Sequence, residues 1–191
     1  MVVTKLELIT AEMLEKIKVE WHQQLDVISS SDGADLAWET YERAFLRVTD
    51  WLKGGMEREP HVFFYAALAD ECKEIDAIVT VSYVKWGSKW LKALYTTVAP
   101  RYESAQEDEV FRDLQAVSSL GSLGAKIVVG CLELAYLNHP CKTLKMRFQS
   151  PLDARTMAAL ITTHLADTLE NANIKMRVYR GWVEFNLDGS D

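Results

Sequence analysis

The sequence has few cysteines, and their spacing matches neither a metal site nor a disulfide framework. Cys72, Cys131 and Cys141 are odd in number and far apart, whereas zinc ligands come in near-neighbour pairs and disulfide frameworks use an even count. Free thiols in a reducing compartment are the simplest interpretation. His139 lies two residues before Cys141 in the segment NHPC. This spacing suggests half of a nucleophile and base pair or, more simply, a loop where Pro140 ends a helix.

The sequence also lacks a dense basic cluster and any long apolar run. Its net charge is −7, its pI is near 5.2, and its 21 basic residues are scattered, so the electrostatic footprint of a nucleic-acid-binding protein is missing. No apolar run approaches the roughly 20 residues that span a bilayer, and the opening MVVTKLELIT becomes polar too early for a signal peptide. We therefore expect no nucleic-acid partner, no membrane partner and a cytoplasmic location.

The hydrophobic content is high enough for one buried core. Of the 191 residues, 49% are hydrophobic, and we expect a single domain over residues 1–191. The segment VVTKLELI alternates as a short strand does, and Thr10 then occupies a helix N-cap position. Apolar residues at steps of three and four predict two helices, separated by the turn-forming segment SSSDGAD. The chain is thus predicted to open with a strand and two helices.

Three antiparallel strands are predicted next. They are the segments HVFFYAALAD, IDAIVTVSYVKW and KWLKALYTTVAP, and the polar segment DECKE predicts the first turn between them. Between the second and third strands, Gly87 and Ser88 predict a tight hairpin with a two-residue loop, because glycine is favoured at the first position of such a turn.

The second half of the chain alternates helices and strands. The capping box from Ser104 to Glu107 predicts the start of a helix over about 104–118, and Gly121 and Gly124 then predict a turn before an apolar helix. The segment CKTLKMRFQS predicts a strand, Pro151 the first turn of another helix, and IKMRVYRGWVEFNL a last strand or pair of strands. This order predicts an α+β fold, with a mixed, mostly antiparallel central sheet flanked by helices.

This element order resembles the GNAT superfamily of acyl-CoA-dependent N-acyltransferases over most of the chain. The segment TTVAP at 96–100 is similar to the end of the family's fourth strand, and GSLGAK at 121–126 is similar to its pyrophosphate-binding turn. The resemblance implies acetyl-CoA or another acyl-CoA as co-substrate, bound at its diphosphate by backbone N–H groups. It implies contacts from Val98 and Ala99 to pantetheine, and from Leu123, Gly124, Ala125 and Lys126 to the phosphates.

The sequence departs from the family pattern in three respects, one of which is that the spacing of the glycines in the turn is off by one. About twenty residues separate Pro100 from Gly121, including the helix predicted over 104–118, whereas in the family the strand leads almost directly into the turn. The basic residue or glutamine usual at the head of that turn is also missing. A glycine pair equally predicts a plain bend between two helices, so both interpretations stay open.

Few residues are available for acid and base catalysis. Acylation of an amine needs a base for the amine and a proton donor for the leaving thiolate. The predicted fourth strand has no carboxylate, and the last predicted helix has no tyrosine. The candidates that remain near the expected cleft are Tyr95, Tyr102, Ser150 and His164. A mechanism that relies on positioning alone would need none of them.

Three functions are compatible with these features. The first is an N-acyltransferase whose acidic surface would suit a small amine or lysine-bearing acceptor. The second is a non-catalytic interaction or regulatory protein on the same scaffold, and the third is an unrelated α+β binding module. The six tryptophans, among them Trp86, Trp90 and Trp182, further predict an exposed aromatic patch through which the chain forms a homodimer.

Overall fold

Seven strands form one mixed sheet at the centre of the protein. The structure, a computed structural model, describes residues 5–29, 35–68, 74–87, 89–102, 112–148 and 151–188. The strands are β1 (Leu6–Leu8), β2 (Val62–Leu68), β3 (Ile75–Val84), β4 (Trp90–Val98), β5 (Thr143–Arg147), β6 (Lys175–Tyr179) and β7 (Trp182–Asn186), in the sheet order β1-β2-β3-β4-β5-β7-β6. Only β4 and β5 run parallel, and the other neighbouring strands are antiparallel. The predicted α+β class is confirmed.

Helices pack on both faces of this sheet. They are α1 (Ala11–Ser29), α2 (Asp35–Asp50), the short α3 (Met56–Arg58), α4 (Arg112–Glu133) and α5 (Pro151–Asn171). The predicted N-cap is confirmed, because the Thr10 Oγ1 accepts a hydrogen bond from the Met13 N–H at 3.2 Å. Gly54 adopts a φ of 125° after α2, a conformation in which glycine is strongly preferred.

Each face of the sheet has its own hydrophobic core. Helices α1 and α2 cover the β1–β3 half on one side, where the Trp21 indole donates a hydrogen bond to the Ile75 carbonyl at 3.1 Å. Helices α4 and α5 cover the other side, where Leu123, Val128 and Ile161 are buried against strand residues. We call the first side the α1/α2 side and the second the α4/α5 side.

The β3–β4 hairpin differs from its prediction in the length of its loop, whereas the predicted terminal strands are present. Strands β3 and β4 form the expected antiparallel hairpin, but its last pair is Val84 with Trp90, so five residues separate the strands. The predicted two-residue loop is therefore wrong. Of the two predicted loop residues, Ser88 lies outside the described residues. The terminal segment forms a pair of strands, β6 and β7, whose turn residues Arg180 and Gly181 both have positive φ. The predicted turn residues 70–73 and the capping box from Ser104 to Glu107 lie outside the described residues.

The glycine pair lies inside α4 and not in a turn, which corrects the prediction. Helix α4 runs without a break through residues 121–126. A Cβ at Gly124 would lie 2.6 Å from the Met157 Cε, and one at Gly121 would lie 3.3 Å from the His164 Nε2. Both contacts are with α5, so the glycines allow close packing of the two helices. The described part of the predicted inserted helix, residues 112–118, is the beginning of α4 itself.

Candidate functional site

A β-bulge in β4 separates a paired half of the strand from an open half. Tyr95 pairs with Thr80 and Ala93 pairs with Val81, which leaves Leu94 as an extra residue. On its other side β4 pairs with β5 only over Trp90–Ala93. Beyond Ala93 the two parallel strands separate, and no described strand pairs with this edge of β4. We call residues 94–98 the open edge.

Two residues of the open edge direct their backbone polar groups away from β3. The Ala99 N–H donates to the Asp76 carbonyl at 2.8 Å, and antiparallel pairs alternate between hydrogen-bonded and non-hydrogen-bonded. By that alternation Tyr95 and Thr97 bond to β3, whereas Thr96 and Val98 present their N–H and C=O groups to the gap beside β5. An extended chain could add to this edge as a further strand does.

The two predicted pantetheine contacts differ in accessibility. Val98 is half-buried and points its backbone outward. Ala99, by contrast, is fully buried, and its carbonyl accepts a hydrogen bond from the Tyr102 N–H at 3.0 Å. Both polar groups of Ala99 bond within the protein, whereas Val98 is accessible, and both predicted pantetheine contacts stay predictions.

Residues 121–126 of α4 do not form the predicted phosphate cradle. Leu123 and Ala125 are buried, and Gly124 contacts α5. In a helix interior each N–H bonds to the carbonyl four residues earlier, so these amides are not available to an anion. The predicted phosphate contacts of Leu123, Gly124, Ala125 and Lys126 require a turn, and these residues form part of a continuous helix instead.

Tyr102 belongs to a buried polar cluster beside the end of β4. Its hydroxyl donates to the Asp76 carboxylate at 2.8 Å, and Arg101 forms an ion pair with the same carboxylate. Burial, together with the hydrogen bond and charge of Asp76, raises the pKa of Tyr102 to about 12. The tyrosine is thus held as a neutral donor to Asp76, an arrangement that stabilises the fold.

Tyr95 is the predicted catalytic residue that lies at the gap between β4 and β5. It follows the bulge on the α1/α2 side, and 50% of its surface is exposed. The Arg47 guanidinium carbon of α2 lies 4.6 Å from the centroid of its ring. This distance is within the range of a cation–π contact, which fixes the ring at the mouth of the gap.

The three catalytic candidates that the structure describes, Tyr95, Tyr102 and His164, do not come together. His164 is exposed on α5 and lies next to Gly121 of α4, on the α4/α5 side. Tyr95 lies on the opposite side of the sheet, and Tyr102 bonds to Asp76. Ser150 lies outside the described residues.

His139 and Cys141 also have separate partners. The His139 Nε2 and the Tyr65 hydroxyl are 2.8 Å apart, and the Cys141 thiol donates to the Thr143 carbonyl at 3.5 Å. Burial lowers the pKa of His139, as does the charge of Lys85, and burial raises the pKa of Cys141. The loop interpretation therefore describes this segment better than a nucleophile and base pair does.

A polar face of the sheet lies beside the gap. It was not predicted from the sequence. On the α1/α2 side, no described helix packs over β5, β7 and β6. The side chains there are Trp90, Lys92, Thr143, Lys145, Arg147, Lys175, Arg177, Tyr179, Trp182, Glu184 and Asn186, as the strand registers show. We call these residues the open sheet face. Its signal in the sequence was the alternation of polar or aromatic with apolar residues along these strands.

Ion pairs order the centre of the open sheet face. Glu184 is buried and accepts hydrogen bonds from Lys145 at 2.7 Å and from Arg177 at 2.5 Å. Burial opposes its ionisation, but the two cations outweigh that effect and hold the pKa of Glu184 below its ordinary value. Burial and the neighbouring Lys145 lower the pKa of Lys92.

Among the described residues, none of the helices has the length and apolar character needed to cross a bilayer. Comparison with protein-family models gives no match, and no curated protein sequence matches the chain.

Two solved structures resemble the chain at low identity. Apo FdhC, described as a nucleotide-linked sugar GNAT, has a TM-score of 0.43 and 6% identity, over 96% of this chain and 85% of FdhC. The N-acetyltransferase PseH of Campylobacter jejuni has a TM-score of 0.42 and 14% identity, over 96% of this chain and 98% of PseH.

The topology of the chain agrees with the fold that the sequence resemblance implied. A strand and two helices precede three antiparallel strands, and a helix then leads to a parallel fifth strand that separates from the fourth beyond the bulge. A further helix and a final pair of strands complete the sheet. The predicted α+β class, with a mixed, mostly antiparallel sheet flanked by helices, is therefore confirmed.

Proposed function

We propose that the protein is an N-acyltransferase that moves an acyl group, such as acetyl, from acyl-CoA to an amine. The open edge of β4 is the observation that carries this proposal. Thr96 and Val98 present backbone donors and acceptors beside a gap between parallel strands, and an amide-containing arm such as pantetheine can bond to such an edge. The bound co-substrate supplies an acyl group activated as a thioester.

Tyr95 is the side chain best placed to take part in the chemistry. In the overall reaction the amine nitrogen bonds to the acyl carbon, the carbon–sulfur bond breaks, the amine loses a proton and the thiolate gains one. The exposed phenol of Tyr95 at the mouth of the gap can supply the proton to the leaving thiolate. Backbone groups of Thr96 and Val98 orient the arm, and this positioning supplies a large share of the rate.

The experiment measures ligand binding and turnover on matched variants. Acetyl-CoA at about 100 times its Kd should stabilise the folded protein by about 2.7 kcal/mol, read as a rise in Tm. Thr96→Pro removes one outward N–H without removing a β3 bond, and we expect binding to weaken about fivefold. Thr96→Ala, which keeps the N–H, should bind as the native protein does.

Turnover, measured as release of free CoA thiol with a panel of amines, tests Tyr95. Tyr95→Phe should lower kcat about 100-fold with little change in KM. Tyr136→Phe is the matched control, because both tyrosines are 50% exposed. No Tm shift with acetyl-CoA at millimolar concentration would contradict the proposal.

A non-catalytic interaction or regulatory protein on the same scaffold is the second candidate. The unbroken course of α4 through residues 121–126 favours it, because the predicted diphosphate turn is not formed there. This function predicts no Tm shift with acetyl-CoA and no release of CoA thiol with any amine.

A further inference from the structure

We propose that the open sheet face binds the anionic part of the acyl acceptor, so that the acceptor is a ring-bearing amine that also carries a phosphate or carboxylate group. This inference rests on the proposed acyltransferase function and names its substrate class. It replaces the cationic acceptor that the net charge of −7 suggested.

The local charge of the open sheet face is opposite to that of the whole chain. This face has five cationic side chains, Lys92, Lys145, Arg147, Lys175 and Arg177, and a single carboxylate, that of Glu184. Lys145 and Arg177 both bond to Glu184. Within the described part of the chain, Lys92 and Arg147 have no carboxylate partner. A cluster of this sign attracts an anion whatever the total charge of the protein.

Two indoles hold the unpaired cations in place. The Lys92 Nζ lies 3.8 Å from the centroid of the Trp90 ring and 5.4 Å from that of Trp182. The Arg147 guanidinium carbon lies 5.9 Å from the centroid of the Trp182 ring. These distances are in the cation–π range. The half-exposed indoles also offer flat surfaces against which a ring can pack.

The open sheet face borders the gap where the thioester would lie. Arg147 is the last residue of β5, directly after the last residue that pairs with β4. Tyr95 stands across the gap on the same side of the sheet. An acceptor whose anion binds Lys92 and Arg147 can therefore direct its amine toward the open edge.

The charge pattern favours a small anion over a second copy of this chain. A two-fold dimer through this face would bring its cations against the same cations of the other copy. Like charges at an interface disfavour association. A cationic acceptor such as a polyamine would be repelled for the same reason.

The first test measures binding in the absence of CoA. Protein labelled with ¹⁵N at tryptophan is titrated with tyramine, O-phosphotyramine and 4-(aminomethyl)benzoate, which share a ring and an amine and differ in their anionic group. We expect the two anionic probes to shift the indole signals of Trp90 and Trp182, and tyramine to leave them unchanged. Their relative affinities distinguish phosphate from carboxylate, and added salt should weaken both.

A second test compares variants of single cationic residues to find which of them bind the anionic group. Lys92→Gln and Arg147→Gln should each weaken binding of the anionic probes roughly tenfold. Lys142→Gln is the control, because it removes the same charge at the other end of β5, where Lys142 pairs with Asp188. We expect this control to bind within about twofold of the native protein. Circular dichroism of each variant verifies the fold.

The outcomes separate this inference from the proposed function. Equal binding of tyramine and the anionic probes, or equal weakening in Lys142→Gln and Lys92→Gln, overturns the inference. Acetylation of tyramine at least as fast as that of the anionic probes overturns the inference alone. Anion binding without any effect of acetyl-CoA overturns the acyltransferase proposal and, with it, the acceptor role.

Discussion

Two buried polar residues of this protein, Asp76 and Tyr65, bond to partners far away in the sequence. Asp76 is 2% exposed and accepts a hydrogen bond from Tyr102, 26 positions later, and Tyr65 bonds to His139, 74 positions later. Unpaired, such groups would cost about 1 to 3 kcal/mol each. The tertiary fold therefore decides whether a tyrosine stabilises the structure or takes part in chemistry.

Residues with local partners were predictable from the sequence, whereas those with distant partners were not. The N-cap role of Thr10 followed from its position before the apolar stripe, because the cap bonds only three residues ahead. The engagement of Tyr102 by Asp76 had no such local signal. From the sequence alone, Tyr102 is therefore a candidate for catalysis.

His139 should make the stability of the protein depend on pH below neutrality. Burial and Lys85 lower its pKa in the folded state, so the unfolded chain binds the proton more readily as the pH falls below about 6.5. The free energy of unfolding should therefore decrease from pH 7.5 to 5.5. His139→Gln keeps a hydrogen-bonding group for Tyr65 but does not titrate in this range.

Urea denaturation at pH 7.5 and 5.5 measures this effect. We expect the native protein to lose about 1 kcal/mol more than His139→Gln between the two pH values. Equal losses in the two proteins would show that the imidazole has the same pKa folded and unfolded.

At the scale of elements, the same pair of glycines is compatible with two structures, a turn and a close contact between helices. Gly121 and Gly124 matched a turn because glycine suits positive φ, but small residues also permit close approach of two helices. The partner that decides between them is Met157 on α5, which lies 33 residues after Gly124 in the chain. Helix α4 was therefore divided wrongly in the prediction, although its apolar second half was recognised correctly.

Replacement of Gly124 tests this packing. Gly124→Leu places a side chain where the Met157 Cε now lies, and we expect it to lower the free energy of unfolding by about 1 to 3 kcal/mol. Adding Met157→Ala should restore part of this loss, because it vacates the space. Urea denaturation measures both variants. Unchanged stability, together with a lost response to acetyl-CoA, would instead favour the phosphate-binding role.

The two hairpin loops show why the ends of strands are harder to predict from the sequence than the strands themselves. The strand patterns around Gly87 predicted the β3–β4 pairing, but the register ends at Val84 and Trp90 and sets a five-residue connection. The two-residue turn lies instead at Arg180 and Gly181, both with positive φ. Arginine is not typical of such a turn, so the residues at these positions predict the turn only weakly.

At the scale of the whole molecule, composition described the total charge but not its distribution. The net charge of −7 predicts an acidic surface, yet alternate residues of β4, β5 and β6 place five cations on one face. Their grouping depends on the strand order, in which β7 lies between β5 and β6. The sequence supported the α+β class and the element order, whereas the open sheet face required the sheet order.

Self-association through an exposed aromatic patch remains a prediction, and the structure suggests its location. Trp86 is 86% exposed on the β3–β4 connection, while Leu137 and Tyr136 are 79% and 50% exposed. They lie at the same end of the sheet, where the Lys142 N–H bonds to the Lys89 carbonyl at 3.1 Å. Exposed apolar surface of this kind is typical of protein interfaces.

Sedimentation velocity over a range of concentrations tests this prediction. We expect a concentration-dependent dimer for the native protein and a monomer for the double variant Trp86→Ser/Leu137→Ser. A native protein that stays monomeric at every concentration would contradict it.

The extra residue at Leu94 reverses the alternation of side chains between the two faces of β4. Leu91 and Ala93 point to the α4/α5 side, yet Tyr95, two positions further on, points to the opposite side. Deleting a single residue here would restore strict alternation and exchange the sides of every later side chain in β4. The length of this segment is therefore constrained more tightly than its composition. In related chains we expect the amino acids of this segment to vary while the number of residues stays the same.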